Sequence, residues 1–374
     1  MRLEDVPTPQ VVVHRGRLAA NIAAMQALAA RGGKRLRPHA KTHKSPDIAR
    51  MQIEAGAVGI CCAKLGEAEV FAAAGIGDIR LPYPVNPANA PRVLALLERA
   101  RLSIIVDDIE VAEGWSRAMT AARRQLDVLV KVDVGFHRCG IDPGSAAAAR
   151  VVARVAALPG LRLRGLLSHA GHAYHATSED ELRAIADTEA RLMTTLAGEA
   201  RAAGIDIEEL SVGATPTARF SAGLAAITEM RPGNYVYFDR TQVGLGAAAT
   251  TDCALFVHAM VVSKPAPDRI ILDCGSKTLS SDGARGFGTP RGHGVVFGSM
   301  ADAQGDHTLE IERLSEEHAT VRVTAGSTRL RPGDRVFVLP NHSCVVSNLV
   351  DEVVLVDEAG EIDRLRVAAR GRIQ

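Results

Sequence analysis

The 374-residue sequence has few aromatic residues, no long hydrophobic run and no excess of charge of either sign. Aromatic residues make up 3%, too few for base-stacking platforms or for an aromatic belt at a membrane interface. The 44 Lys and Arg residues balance 43 Asp and Glu residues, which argues against a protein that holds nucleic acid through phosphate contacts. No apolar run approaches the ~20 residues that a membrane helix needs. We therefore expect no nucleic-acid partner and no membrane span.

The sequence also lacks the patterns of a secreted protein. Acidic residues and a proline stand at positions 4, 5 and 7, where a secretory signal would place apolar residues. The six cysteines are scattered, and the adjacent pair Cys61 and Cys62 makes poor disulfide partners. These features predict reduced thiols in a cytoplasmic protein. With 47% hydrophobic and 23% charged residues, the composition is typical of a metabolic enzyme with a large core.

Residues 8–245 alternate short β-type segments with Ala-rich helical stretches. The eight candidate strands are 35–39, 58–63, 78–82, 102–106, 126–134, 161–168, 209–212 and 234–239. This alternation predicts an α/β fold with a closed (β/α)8 TIM-type barrel, and an open doubly wound sheet is the alternative. Residues 250–374 are β-rich with Gly, Pro and Asp turns, which predicts a second, mainly β domain. The N-terminal residues 1–10 are candidates to pack on that domain.

In such a barrel the active site lies at the C-terminal ends of the strands. Lys41 follows the first strand and precedes a helix, so its amine is expected in the barrel mouth. A desolvated lysine near other cations has a lowered pKa and can form a Schiff base. The alternative is a basic surface turn that pairs with acids.

His169 lies at the sixth strand end, with His172 and His175 nearby. Hydrogen bonding to a ligand fits these histidines better than a zinc site does, and simple solvent exposure fits His172 and His175 equally well.

The loops after the seventh and eighth strands are candidate phosphate sites. They hold Gly213, Thr215 and Thr217, and then Gly233, Asn234 and Tyr235. Barrels commonly bind phosphate here through backbone N–H groups and hydroxyls, although Gly and Thr-Pro also simply make turns. A reactive lysine at the first strand would bind an aldehyde, and these loops would bind a phosphate across the barrel mouth. Pyridoxal phosphate carries both groups, so the combination predicts this cofactor.

The second domain contains one metal-binding pattern, Pro340-Asn341-His342-Ser343-Cys344. His342 and Cys344 stand two apart, so an extended segment places imidazole and thiol on one side. That donor pair suits Zn²⁺, with the remaining positions filled by water, substrate or another side chain. The alternative is a buried cysteine beside a turn histidine.

Together these motifs resemble the fold-type III pyridoxal phosphate enzymes of the D-threonine aldolase and D-serine dehydratase group, whose N-terminal domain is alanine-racemase-like. The segments that carry the resemblance are Thr8-Pro9 with Asn21, RPHAKTHK at 37–44, GEAE at 66–69, VDVG at 132–135 with Arg138-Cys139-Gly140, RPGNY at 231–235 and PNHSC at 340–344.

The resemblance implies roles for individual residues. Lys41 would carry the cofactor, with Arg138 near its ring, His39 beside it and His169 as a polar, catalytic wall of the pocket. The phosphate would be held by the loops containing Gly213, Thr215, Thr217, Gly233, Asn234 and Tyr235. His342 and Cys344 would bind a divalent metal, zinc or manganese. A homodimer is expected, in which the second domain completes the active site of the partner subunit.

The resemblance further implies a lyase that acts on a small-molecule D-β-hydroxy-α-amino acid. Our preferred reaction is retro-aldol cleavage of D-threonine-type substrates to glycine and an aldehyde. The alternative is dehydration of D-serine or D-3-hydroxyaspartate to a keto acid and ammonia. The segment His342-Ser343-Cys344 is closer to the dehydratases, whereas 347–352 is closer to the aldolases. An amino-acid racemase or a non-catalytic pyridoxal phosphate-binding protein is a remoter alternative.

Overall fold

The computed structural model describes residues 2–287 and 291–374. The strands in these ranges are β1 (Gln10–His14), β2 (Arg35–Leu36), β3 (Ile60–Cys61), β4 (Asp78–Pro84), β5 (Arg101–Val106), β6 (Leu126–Lys131), β7 (Leu161–Leu167), β8 (Glu209–Val212), β9 (Glu229–Met230), β10 (Leu255–Ala266), β11 (Arg269–Leu272), β12 (Val295–Phe297), β13 (Leu309–Leu314), β14 (Ala319–Val323), β15 (Arg335–Leu339), β16 (Glu352–Val356) and β17 (Ile362–Arg366). The α-helices there are α1 (Arg15–Arg31), α2 (Pro46–Glu54), α3 (Leu65–Ala73), α4 (Ala90–Leu97), α5 (Ile109–Ala121), α6 (Ala148–Ala156), α7 (Glu179–Ala202), α8 (Ala218–Ser221), α9 (Arg240–Gly244), α10 (Ser276–Leu279) and α11 (Ser343–Ser347).

Strands β2 to β9 form a parallel barrel. Their order is β2-β9-β8-β7-β6-β5-β4-β3, and every pair is parallel. A further parallel bridge between His39 and Cys61 joins the chain just after β2 to β3, which closes the ring. The predicted (β/α)8 barrel is therefore confirmed, and the open sheet is wrong. Closure brings all eight C-terminal strand ends to one mouth.

The last barrel strand differs from the prediction. It is β9, only two residues long, whereas the predicted segment 234–239 begins with a 3-10 helix, Asn234–Val236. Pro232 lacks the N–H that a central strand needs, so pairing stops before it. A Cβ at Gly233 would lie 3.0 Å from the carbonyl oxygen of His39, so this loop packs tightly against the end of the first barrel strand. Tyr235 and Val236 look like strand residues in the sequence, but they lie in the 3-10 helix and are buried in the core.

The second domain is a nine-stranded sheet in the order β11-β14-β13-β12-β15-β10-β1-β16-β17. An additional β10–β11 pairing closes its first six strands into a small barrel. Strand β1 lies inside this sheet, antiparallel to β10 and parallel to β16, although the sequence analysis placed residues 10–14 in the barrel unit. The reason is burial on both faces: Val12 packs in the barrel core, and Val11 and Val13 pack in the second core.

The N-terminal segment packs on the second domain as well. Arg2 bridges to Glu361, and the Leu3 N–H donates to the carbonyl of Gly360. None of the helices within residues 2–287 and 291–374 is long and apolar enough to cross a membrane.

Buried charges occupy the interior of the barrel below its mouth. Glu229 on β9 pairs with Arg80, and with Arg37 at 3.0 Å, while Arg80 also reaches Glu209 at 2.8 Å. Ser211 connects this network to the mouth, because its hydroxyl donates to Glu229 and accepts from Arg231 at 2.6 Å each. Through Ser211, this network of paired charges holds Arg231 at the floor of the cavity in the barrel mouth.

Candidate active site

One cavity of about 580 Å³ lies where the barrel mouth meets the second domain. Its barrel side and its second-domain side bring together residues that are more than 300 positions apart in the chain. The lining includes Lys41, Arg138, His169, Thr215 and Arg231 from the barrel, and Asp282, His342, Cys344 and Asn348 from the second domain. The first strand end and the His-X-Cys segment therefore meet in one site.

Two lysines of the RPHAKTHK segment have different environments. Lys44 is buried and forms an ion pair with Glu67 at 3.0 Å. Lys41 lines the cavity and forms no ion pair with any residue in the described ranges 2–287 and 291–374. Glu67 belongs to the GEAE segment, and it also accepts the Ala63 N–H. Lys44 is thus a structural residue, whereas the amine of Lys41 is available to a ligand.

His39 and His169 stand beside Lys41 and are neutral. Burial is the main cause that lowers the pKa of each imidazole well below its usual range, and the positive charges of Lys41 and Arg231 lower it further. His169 Nδ1 lies 2.5 Å from the carbonyl oxygen of Gly213, so Nδ1 carries the proton. Nε2 of His169 is consequently an unprotonated acceptor.

The two phosphate-loop candidates contribute unequally to the cavity. Thr215, Gly233 and Asn234 line it, whereas Gly213, Thr217 and Tyr235 do not. The Tyr235 hydroxyl instead accepts a hydrogen bond from Gln52 in the core, at 3.0 Å. The hydroxyl oxygen of Thr215 is buried without a hydrogen-bond partner.

The second-domain side of the cavity is built around His342 and Cys344. His342 Nδ1 lies 2.6 Å from Asp282 Oδ2, which leaves Nε2 as the nitrogen that could bind a metal. Cys344 Sγ accepts from Asn234 Nδ2 at 3.3 Å and lies 3.3 Å from Thr42 Oγ1. Burial lowers the pKa of His342, but Cys344, Asp239 and Asp282 outweigh it and raise that pKa to about 10. Burial raises the pKa of the Cys344 thiol, and His342 outweighs it so that the net shift is downward.

Asp239 joins the two sides. Its Oδ2 accepts from Asn234 Nδ2 at 2.6 Å and from the Ser343 N–H at 2.9 Å, and its Oδ1 caps helix α9 through the Gln242 N–H at 3.0 Å. One buried carboxylate therefore fixes the barrel loop, α9 and the His342 segment in a single arrangement.

The residues present fit pyridoxal phosphate and a divalent metal. An unpaired lysine amine, an orphaned Thr215 hydroxyl and Arg231 suit an aldehyde with a phosphate. An imidazole nitrogen beside a thiol of lowered pKa suits Zn²⁺. Within residues 2–287 and 291–374 no three His, Cys, Asp or Glu side chains are grouped to hold a metal, so an ion held by His342 and Cys344 would need further ligands from water or substrate.

Several residues that line the cavity were not predicted from the sequence. Asp239 and Asp282 were not selected, because nothing in the linear sequence connects them to His342. Tyr174 and Gln242 also line the cavity and were not selected. Arg231 stood in the RPGNY segment, where its type alone could have marked it as a phosphate or carboxylate partner.

Comparison with known proteins gives matches over nearly the whole chain. The family profile "Alanine racemase, N-terminal domain" matches residues 13–241, and "Putative serine dehydratase domain" matches residues 254–356. The D-threonine aldolase of Arthrobacter sp is 35% identical over 372 residues, which cover 99% of this chain and 94% of that protein. The D-threo-3-hydroxyaspartate dehydratase of Delftia sp. (strain HT23) is 34% identical over 352 residues, covering 91% and 92%. A solved cysteine-to-alanine mutant of a D-threo-3-hydroxyaspartate dehydratase, in the metal-free form, has a TM-score of 0.92 at 31% identity and covers 98% of each chain.

Proposed function

Because the chain belongs to the alanine-racemase-like family that includes D-threonine aldolase and D-threo-3-hydroxyaspartate dehydratase, we propose that it is a pyridoxal phosphate- and metal-dependent lyase for D-β-hydroxy-α-amino acids. The family predicted from the sequence is confirmed by these matches. The observation that carries the proposal is the cavity itself, which Lys41 lines together with His342 and Cys344.

The barrel side supplies the groups that would hold the cofactor. Lys41 would bind its aldehyde carbon, while Thr215, Arg231 and the loop at Gly233 would surround its phosphate. When bound, pyridoxal phosphate withdraws electrons from the substrate carbon next to the amine. Because His39 and His169 are neutral, the positive charges that attract the phosphate come from Lys41, Arg138 and Arg231.

The second-domain side supplies the groups that would hold the metal. His342 Nε2 and Cys344 Sγ are the two protein ligands, and Asp282 orients the imidazole through Nδ1. A bound divalent ion would lower the pKa of the substrate's β-hydroxyl. The metal-free form of the relative's cysteine mutant supports a thiol ligand in this family. The identity of the ion, zinc or manganese, stays a prediction.

For the reaction we propose retro-aldol cleavage. This reaction removes the β-hydroxyl proton and breaks the Cα–Cβ bond, which yields glycine and an aldehyde. It needs an unprotonated base in the cavity, and His169 Nε2 meets that requirement because Nδ1 is committed to Gly213. Lys41 Nζ would return a proton to Cα after cleavage.

Dehydration is the second candidate, and Cys344 is the observation that favours it. In that reaction Lys41 Nζ removes the Cα proton, the β-hydroxyl leaves from Cβ, and the products are a keto acid and ammonia. The segment His342-Ser343-Cys344 is closer to that of the dehydratases, and a thiolate suits zinc better than a carboxylate does. Both reactions use the same residues, so products rather than geometry must separate them.

Product analysis tests the proposed reaction. The purified protein, loaded with pyridoxal phosphate and either Zn²⁺ or Mn²⁺, is incubated separately with D-threonine and D-serine. Glycine with acetaldehyde from D-threonine would establish aldol cleavage. A keto acid with ammonia and no glycine would establish dehydration and overturn our first choice. No product from either substrate would overturn the proposed lyase activity.

Metal content tests the ligand assignment. His342→Ala and Cys344→Ala should each lose bound metal and activity in parallel, as measured by elemental analysis after gel filtration. Cys139→Ala is the matched control, because Cys139 does not line the cavity. Undiminished metal content in Cys344→Ala would contradict the assignment. The homodimer implied by the resemblance and the cytoplasmic location predicted from the cysteine pattern stay predictions.

A further inference from the structure

Gln242 is a buried polar residue that no step above uses. It is 0% exposed and lines the cavity; its amide lies beside the Tyr174 hydroxyl, yet neither its Nε2 nor its Oε1 makes a hydrogen bond of normal geometry with any described residue. A buried amide that leaves both ends unsatisfied lowers stability, so such a residue is retained where a ligand completes its hydrogen bonds. The side chain is therefore placed for binding rather than for packing.

The backbone of Gln242 is fixed relative to the metal ligands. Asp239 accepts its N–H, and Thr241 on the same helix donates its hydroxyl to the carbonyl of Asn341 at 2.7 Å. The Arg240 N–H donates to the carbonyl of Pro340 at 3.1 Å. Helix α9 is thus held along the segment that leads into His342. Gln242 is consequently held on the second-domain side of the cavity, next to the segment that carries His342.

The surroundings of Gln242 offer donors to a ligand group that accepts hydrogen bonds. Burial is the main cause that raises the pKa of Tyr174, and the negative charges of Cys344 and Asp239 raise it further, so its hydroxyl stays protonated and can donate; the neighbouring Gln242 amide and Arg285 act in the opposite direction. The two carboxylates nearby already have partners, since Asp239 accepts four hydrogen bonds and Asp282 pairs with His342. Nε2 of Gln242 and the Tyr174 hydroxyl are thus available donors on one wall.

We propose that the amide of Gln242 binds a carboxylate of the substrate through Nε2–H, with Tyr174 as the adjoining donor. This inference rests on the proposed function, because the substrate is taken to be a D-β-hydroxy-α-amino acid. Such a substrate always carries an α-carboxylate, and 3-hydroxyaspartate carries a second carboxylate on the β-carbon. The experiment distinguishes these two sources.

Three variants are compared in steady-state kinetics. Gln242→Met keeps the size of the side chain and removes the amide, and Gln242→Glu replaces the donor with a like charge. Gln26→Met on α1 is the matched control, since Gln26 also has a buried unpaired Oε1 but lies outside the cavity. We expect KM to rise about tenfold or more in Gln242→Met, as for loss of a hydrogen bond to a charged group, with a much smaller change in kcat. Gln242→Glu should raise KM further.

The choice of substrate identifies the carboxylate. A rise in KM for both D-threonine and D-threo-3-hydroxyaspartate would assign Gln242 to the α-carboxylate. A rise for hydroxyaspartate alone would assign it to the β-carboxylate and make Gln242 a specificity residue. Unchanged KM values for both substrates, or an equal rise in Gln26→Met, would overturn the inference.

A stability measurement separates this inference from the proposed function. Without ligand, Gln242→Met should have a higher Tm than the unsubstituted protein, because it removes an unsatisfied buried amide. The rise in Tm on adding substrate should shrink in the same variant, and this readout needs no turnover. An enzyme without lyase activity would overturn the proposed function alone. A Tm that falls in Gln242→Met, with an undiminished shift on adding substrate, would overturn the role of Gln242.

Discussion

The histidines on opposite sides of the cavity have opposite pKa shifts. On the barrel side, burial and the charges of Lys41 and Arg231 lower the pKa of His39 and His169 well below the usual range. On the second-domain side, burial also lowers the pKa of His342, but Cys344, Asp239 and Asp282 raise it to about 10. The opposite pKa shifts of these histidines therefore indicate different electrostatic environments on the two sides of the cavity.

This difference explains which ligand each side can take. A side rich in cations, with neutral histidines, attracts an anion such as the cofactor's phosphate. A side rich in anionic ligands attracts a metal cation, which would replace the proton that His342 otherwise holds. Under the proposed function the two domains would contribute complementary halves, the barrel side holding the amine of a substrate and the second-domain side its β-hydroxyl.

The largest expected effect comes from removing the amine of the barrel side. Lys41→Ala should lower kcat at least about 10³-fold, because a positioned proton-transfer group and the attachment point of the cofactor are lost together. Borohydride reduction of the loaded enzyme, followed by peptide mass spectrometry, should find the cofactor on the peptide that contains Lys41.

Lys44 provides the control for that experiment. Lys44→Met should leave the cofactor on Lys41, but it should destabilise the fold by about 3–5 kcal/mol, because Glu67 is left buried without its partner. Cofactor found on Lys44, or a Lys41→Ala variant that retains full activity, would contradict the assignment of roles within this segment.

The second-largest expected effect comes from Glu229, the buried carboxylate that pairs with Arg80 and Arg37 inside the barrel. Burial raises the pKa of Glu229, but Arg80 and Arg37 outweigh it and lower that pKa to about 2. Glu229→Gln leaves two buried arginines short of a partner, so the free energy of unfolding should fall by about 3–5 kcal/mol. Urea denaturation at pH 7 measures this loss.

The pH dependence of stability provides a second test of Glu229. Since the folded pKa is below the unfolded value of about 4.5, the stabilisation by Glu229 is present above pH 4.5 and is lost as the pH falls toward 2. In Glu229→Gln, the free energy of unfolding should not show this decrease as the pH falls from 4.5 toward 2. An identical slope in the two proteins would show that Glu229 is not the ionised partner of these arginines.

The sequence predicted the parts of the site that are local in the chain. A strand followed by Lys41, and an imidazole two residues from a thiol, are patterns within a few positions, so both segments could be found without coordinates. Strand β9 was placed wrongly because two residues are too few to show a period, while the apolar residues at 235–237 imitate a strand although they fill the core.

The rest of the site depends on contacts between distant segments. Asp282 reaches His342 across 60 positions, and Asp239 reaches Ser343 across 104. Neither carboxylate lies in a pattern that marks it, and Gln242 is notable only because the fold buries it without a partner. Such residues become visible only when the barrel mouth and the second domain are brought together.

The smallest expected effect tests the anionic side through Asp282. Its Oδ2 lies 2.6 Å from His342 Nδ1, so Asp282→Asn should weaken metal binding about 10–100-fold without removing a ligand, because a neutral amide oxygen still accepts from Nδ1 but polarises the imidazole less than the carboxylate does. The loop should keep its position, since the backbone carbonyl of Asp282 still accepts from Asn341 Nδ2 at 2.9 Å. Competition with a chromophoric chelator measures the metal Kd. Asp302→Asn, in a turn where Asp302 accepts the Ser299 N–H, is the matched control and should leave that Kd unchanged. Equal metal Kd values in Asp282→Asn and in the unsubstituted protein would mean that the charge of Asp282 does not prepare His342 for the metal, and the contrast between the two sides would then rest on Asp239 and Cys344.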